Sequence, residues 1–368
     1  MEAQLVRQPA PSTRPADLAL AGYALAVTVA IAQAAAPAHD AGAIARAAVP
    51  YLAGLLVVVL VRSARRRDAV AARVTVGLAV LGAGLAAWVL VRFAVALPDA
   101  IGAEHGFYRL KAGITTPLGD HNTAAGLLLV PLVASAVLAV GDRRWRVGVG
   151  LVAAGIAATL SRGAAVVLAV VVGVAYLAAS RRRVATILSA ALAGVLAVLF
   201  VAGMVMDTSP PPGTAPAGPA SESGLADVVG ASVLGRVDLA VRGLEVGRDR
   251  PLTGAGLGTF GEVAADLPEP NDHAHQMLAH AFAEGGVPLL VAVLLVACGV
   301  AFGGLRLPRS PRRDVVLLGG LGLLAHAQVE ILAGRIGTEV LLACLAGLAV
   351  AGDGTLADSL RATQERSP

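Results

Sequence analysis

Aromatic side chains make up only 3% of the chain and charged ones 15%, and there are 2 cysteines. Each scarcity excludes something. With so few rings, helices built from this composition must pack through small residues at close approach, with a thin aromatic belt. Cys298 and Cys344 both lie inside apolar runs and read as small buried hydrophobes, so neither a disulfide staple nor a zinc site is expected. Charge is too sparse for the surface of a water-soluble domain. No internal repeat of the kind that marks a two-halved transporter is present. No small-residue cleavage site clearly follows the first apolar run, which is therefore expected to be retained.

What is there instead is apolar. Hydrophobic residues make up 57% of the 368 positions and the mean hydropathy is +0.75, which points to a lipid-embedded chain. A helix needs about 20 mostly apolar residues to cross the hydrocarbon layer, because every backbone amide must be bonded within the segment. Candidate spans lie near residues 17–36, 47–62, 74–97, 121–140, 145–160, 163–179, 184–206, 285–304, 315–333 and 336–351. The expected fold class is all-α, a polytopic membrane helical bundle of about ten transmembrane helices with one large extracytoplasmic loop. Residues 1–16 read as a cytoplasmic tail, 17–206 as transmembrane helices one to seven, and 207–284 as the large loop. Residues 285–351 hold helices eight to ten, and 352–368 form a second cytoplasmic tail. The loop opens with a proline-rich stretch over 209–220 and gains helical character over 231–248.

The net charge of +4 sits in short basic clusters between apolar runs, an orientation signal rather than a nucleic-acid footprint. Arg62, Arg65, Arg66, Arg67 and Arg73 follow the second span, and Arg143, Arg144 and Arg146 the fourth. Arg181, Arg182 and Arg183 follow the sixth, and Arg306, Arg309, Arg312 and Arg313 the eighth. Every second connection is basic, so these connections and both termini are expected on the cytoplasmic side. Residues 37–46, 98–120, 161–162, 207–284 and 334–335 then face outward.

Positive charge on the outward side works against that rule and needs a reason. Arg162 stands in the SRGA turn, and Arg236, Arg242, Arg248 and Arg250 lie along the loop. A guanidinium fork pairs two-pronged with phosphate oxygens, so such residues can hold a lipid diphosphate at the membrane surface. Headgroup contact, or pairing with Asp238, Glu245 or Asp249, is the plainer alternative.

The run NDHAHQMLAHAFAEGG over 271–286 stands just before the eighth span. A neutral imidazole there can take a proton from a sugar hydroxyl near neutral pH, the task of a general base in glycosyl transfer. His273, His275 and His280 with Asp272 or Glu284 are the rival metal set, although the HxH spacing does not put both rings on one helical face. Interfacial histidines without chemistry are a third reading. His280 and Glu284, four apart, would pair on a helix. In the ninth span His326, Gln328 and Glu330 precede Arg335, and both a Glu330–Arg335 pair and a direct substrate or proton role stay open. Asp120, His121 and Asn122 form a further polar cluster at the head of the fourth span.

Three blocks within about residues 105–290 resemble the O-antigen ligase and O-antigen polymerase superfamily of bacterial envelope glycosyltransferases. The first is YRLKAGITTPLGDHNTAAGLLLVPLV, with Asn122 at the head of a span. The second is ATLSRGAAVVLAVVVG, with a Ser161-Arg162-Gly163 turn. The third runs from GRVDLAVRGLEVGRDRPLTGAGLGTF into HAHQMLAHAFAEGGVP, where Arg236, Pro251, Gly254, Gly256, Gly258, Phe260, His275, Glu284 and Gly286 fit the family pattern. It departs at Gln276, Leu278 and Leu239, which bear on acceptor recognition more than on reaction type.

The resemblance implies transfer of a glycan from an undecaprenyl-diphosphate-linked donor to a hydroxyl of a glycan, lipid or protein acceptor. The reaction would take place at the outer face of the cytoplasmic (inner) membrane of a bacterium. His275 would be the base on the acceptor, with His273 a supporting or alternate base, while Arg162 and Arg236 hold the diphosphate. Asn122, Glu284, Arg242 and Arg335 would support the site. A diphosphate is already a good leaving group, so arginines can balance its growing charge and neither a metal nor another cofactor is expected. In-line displacement would invert the anomeric carbon. The lipid bilayer is the other expected partner, with no nucleic acid. The different-class alternative is a multi-pass secondary transporter with an intramembrane path through His326, Glu330 and Arg335. A purely structural partner in an envelope assembly is a third.

Overall fold

The computed structural model describes residues 14–36, 41–63, 67–178, 182–206, 225–265, 274, 276–328, 330 and 335–349. Among them every regular element is helical, and the one strand-like feature is an isolated bridge between Thr116 and Gly119. The first long helices are α1 (Arg14–Ala34), α2 (Ala41–Ser63) and α3 (Arg67–Ala100), followed by a short α4 (Gly106–Gly113). Then come α5 (His121–Gly141), α6 (Trp145–Ala158), α7 (Arg162–Ala178) and α8 (Arg182–Val205). The loop region holds α9 (Leu225–Asp249) and α10 (Phe260–Val263), before the 30-residue α11 (Met277–Arg306).

Six of these helices, α1, α2, α3, α5, α8 and α11, are long and apolar enough to cross a bilayer. The remaining candidate spans become shorter apolar pieces. Among them are α6, α7 and α14 (Ile336–Leu348). The expected ninth span forms one uninterrupted helical run, α12 (Pro311–Asp314), a wide π turn over Val315–Gly319 and α13 (Gly320–His326). Large apolar side chains on the rim stand bare, with Leu177 90% exposed and Leu81 74%, which only a lipid surround satisfies. The chain is a polytopic membrane helix bundle.

The centre of the bundle is α5, 89% buried against 33% for each of α1, α2 and α3. Its start is set by Asp120, whose carboxylate accepts the Thr123 amide at 2.8 Å and caps the free end of the helix. Small residues let neighbours close in on it, as expected from the composition. A methyl on Gly155 of α6 would sit 2.6 Å from Ala86 of α3.

The chain re-enters the bundle through a broken helix. Expected to begin at 285, α11 begins instead at Met277, because the Gln276 side chain accepts the Ala279 amide and caps about two extra turns. Gly286 then breaks it, with φ 61 and ψ −159. Into this break docks the turn over 251–259. Ala255 donates to the Ala283 carbonyl at 2.7 Å, Gly256 to that of Glu284 at 3.0 Å, and Val287 to that of Pro251 at 2.7 Å. A methyl on Gly254 would stand 2.4 Å from the Glu284 carbonyl carbon, and one on Gly286 would stand 2.4 Å from the Pro251 oxygen. Both have positive φ as well, so glycine is demanded twice over at each. Gln33 of α1 completes the joint, donating to the carbonyls of Thr253 (2.7 Å) and Glu284 (2.9 Å) and accepting from Leu257 (3.0 Å).

Candidate functional site

The site begins at a ring. Phe107, on the first turn of α4, is 3% exposed, and two cations stand over its face. The Lys111 ammonium and the Arg162 guanidinium are each 5.4 Å from its centroid. Lys111 is one turn further along α4, while Arg162 comes from the sharp α6–α7 corner, where Leu160 takes a left-handed φ of 54. Ser161 then starts α7 by accepting the Ala164 amide at 3.3 Å, which leaves the Arg162 side chain on the outer rim. A cation at a helix N-terminus opposes the helix dipole, so Arg162 is held there by its surroundings rather than by helix preference.

Arg236, on α9, arrives from a third direction. Its guanidinium donates to the Glu330 carboxylate at 2.6 Å, a side chain only 3% exposed, and itself stays 35% exposed. The Lys111 ammonium reports the convergence of these groups. Burial, reinforced by the positive charges of Arg162 and Arg236, lowers its pKa to about 8, although Glu330 and Asp120 pull the other way. Lys111 and Arg162 thus share the face of Phe107, and Arg236 with Glu330 lies near enough to act on the same ammonium.

A second polar layer lies beneath. Burial alone would raise the Asp120 carboxyl, but the Thr123 amide, His121 and the Arg335 guanidinium hold it below its ordinary value. Arg335 stands at the head of α14, and His326 closes the layer by donating from Nε2 to the Asn122 carbonyl at 3.1 Å. Of the residues that a transport path would need, His326 holds the Asn122 carbonyl and Glu330 holds Arg236. Glu330, for which the sequence suggested Arg335, takes Arg236 at 2.6 Å.

His273 and His275 lie outside the described residues, but their neighbours are fixed. Ala274 is buried, and its methyl lies 3.3 Å from where a side chain on Gly243 of α9 would start. Gln276 donates to Gln328 at 2.6 Å, and the Met277 amide to the Ala327 carbonyl at 3.0 Å. Ala274 therefore packs on α9, which carries Arg236, and Gln276 is tied to Gln328, two residues before Glu330.

Two other expected site residues are committed to scaffolding. Glu284 faces the 251–259 turn, accepting the Phe260 amide at 3.4 Å and lying 3.5 Å from His280, the pairing expected at that spacing. Arg242 donates to the Val263 carbonyl at 3.0 Å and lies 3.6 Å from Glu245, so it ties α9 to the loop. Two cations on one aromatic platform, with a third nearby oriented by a buried carboxylate, can bind a multiply charged oxyanion and stabilise charge that develops on it. Lys111, Phe107 and the partnership of Arg236 with Glu330 escaped the sequence reading. For Lys111 the signal was present, since it is a basic residue in a segment expected to face outward.

Comparison with known proteins fits this geometry. No curated protein matched the chain. Residues 147–294 match the family described as O-antigen ligase. That segment runs from α6 into α11 and includes Arg162, Arg236, Arg242, His273, His275 and Glu284. This matched segment supports membership of the O-antigen ligase superfamily and, with it, O-antigen ligase-like glycan transfer in general.

Proposed function

We propose that the protein transfers a glycan from an undecaprenyl-diphosphate-linked donor to an acceptor hydroxyl at the outer face of the cytoplasmic membrane. The observation that carries this reading is the gathering of Lys111, Arg162 and Arg236 from three separate segments around Phe107 and Glu330. A lipid diphosphate leaving group develops negative charge as the anomeric bond breaks, and fixed cations in a partly dehydrated pocket stabilise that charge without reorganising. Arg162 and Arg236 present forks to the phosphate oxygens, and Lys111 adds a compact charge. His275 removes the acceptor proton, with His273 as the alternate base. Attack from the face opposite the diphosphate inverts the anomeric carbon.

The placement of charge along α5 supports an outward site. Asp120, beside the pocket, and the cluster of Arg143, Arg144 and Arg146 flank opposite ends of this 21-residue helix. That length is about 30 Å, one bilayer core. With basic clusters retained in the cytoplasm, the pocket opens on the far side.

The test is a transfer assay with purified protein, lipid-linked donor and chelator. Wild-type turnover should persist in chelator, His275→Ala should abolish it, and His275→Gln should not restore it. Full activity in His275→Ala, or activity that vanishes with chelator and returns with metal, refutes this mechanism.

A further inference from the structure

Away from the pocket, at the opposite end of α5, a groove runs down the bundle surface between α6 and α8. Its lower part, about 520 Å3, is apolar, lined by Val149, Gly150, Ala153, Ala154, Ala190 and Gly194 among others. It shares Arg146 and Ile187 with a polar recess of about 440 Å3, where Arg143 and Arg183 also stand. We propose that this groove is a binding site for an anionic phospholipid, with the phosphate on Arg143, Arg146 and Arg183 and one acyl chain lying between α6 and α8.

The charge is convergent rather than merely abundant. The three arginines come from the α5–α6 connection, the first turn of α6 and the start of α8, and they meet at the mouth of one groove. Basic residues that only orient the chain have no need to gather over an apolar channel. None of the three is paired with a carboxylate among the described residues; nearby Asp142 accepts the Arg144 amide at 2.9 Å. An anionic headgroup complements this mouth, and a zwitterionic one does so only in part.

The groove's depth points to a phospholipid rather than a longer polyprenyl chain. From Arg146 to Ala157 along α6 is about 16 Å, roughly half of the hydrocarbon core and so one leaflet. None of the described residues fills the channel. A methyl built on Gly150 or Gly194 meets no atom within 4 Å, whereas one on Gly155, facing α3 on the same helix, meets Ala86 at 2.6 Å. Gly150 and Gly194 therefore hold space that the protein itself does not use.

The experiment compares full-length protein washed in detergent and reconstituted with phosphatidylglycerol or phosphatidylcholine of identical acyl chains, with retained lipid quantified by mass spectrometry. Wild type should retain phosphatidylglycerol preferentially, and inorganic phosphate should not displace it. The triple variant Arg143→Gln, Arg146→Gln, Arg183→Gln should weaken phosphatidylglycerol retention by on the order of a hundredfold. The double variant Gly150→Leu, Gly194→Leu keeps every charge and starts each new side chain in open space. It should lose retention while its thermal unfolding stays unchanged. Equal retention of the two lipids by wild type, displacement by free phosphate, or full retention by the leucine variant would each overturn the proposal. Glycan transfer is not part of the readout, so this result stands apart from the proposed catalytic function.

Discussion

Replacing Lys111 by arginine should remove an alkaline limit on donor binding. Its ammonium is held at about 8, where an ordinary lysine stands at 10.5, chiefly by burial and then by Arg162 and Arg236. At pH 7 about nine-tenths of the molecules carry this charge, and at pH 9 about one-tenth. If the charge contacts the diphosphate, donor affinity is full below about pH 8 and falls as the proton is lost, by up to roughly tenfold per pH unit. Arginine keeps its proton throughout this range. The donor KM of wild type should therefore climb between pH 7 and pH 9, while that of Lys111→Arg stays flat. The linkage to folding runs in the same window with its own sign. A folded-state pKa below the unfolded value means the unfolded chain binds more protons between about 8 and 10.5, so this group's contribution to stability improves as pH rises through it. An identical alkaline rise in KM for both proteins would refute a role for Lys111 in holding the donor.

Three more outcomes follow from the geometry. Arg236→Ala removes a charge-assisted bond at 2.6 Å from a carboxylate that is 3% exposed, which should cost about 2 kcal/mol of stability in a denaturation series. Adding Glu330→Gln should recover much of that stability without recovering transfer, which separates the structural loss from the functional one. Phe107→Leu keeps apolar bulk but deletes the face beneath two cations, and the donor KM should rise about tenfold at nearly constant kcat. Gly286→Ala forces φ near 61 on an alanine and drives its methyl to 2.4 Å from the Pro251 oxygen. It should lower the unfolding temperature by several degrees, the effect of about 2 kcal/mol of strain, because the 251–259 turn can no longer seat.

What the sequence disclosed follows from which forces act locally. Helical spans were legible because apolar length and flanking arginines are properties of adjacent residues. Arg162 and Arg236 stood out because each breaks the charge rule, and both reach the pocket. Lys111 breaks the same rule and went unweighed, although it lies in the first of the three family-like blocks. That Arg236 reaches Glu330 was not legible at all. Arg335 is five residues away in sequence, whereas Arg236 is 94 residues away, and only the docking of α9 brings it within reach. The docking of the glycine turn on the α11 break was half visible. Gly254, Gly256, Gly258 and Gly286 belonged to a pattern, but the crowding of Glu284 and Pro251 that makes glycine necessary at Gly254 and Gly286 appears only when the segments meet.

The account rests on cations that recognise two phosphates rather than one. The direct measurement is equilibrium binding of undecaprenyl diphosphate and undecaprenyl monophosphate to wild type, Arg162→Lys and Arg236→Lys in detergent at fixed salt. Wild type should prefer the diphosphate by about tenfold or more, and each lysine variant, which keeps its charge but loses the fork, should surrender most of that preference. Equal affinity for the two lipids in wild type, or an undiminished preference in both variants, would contradict the account.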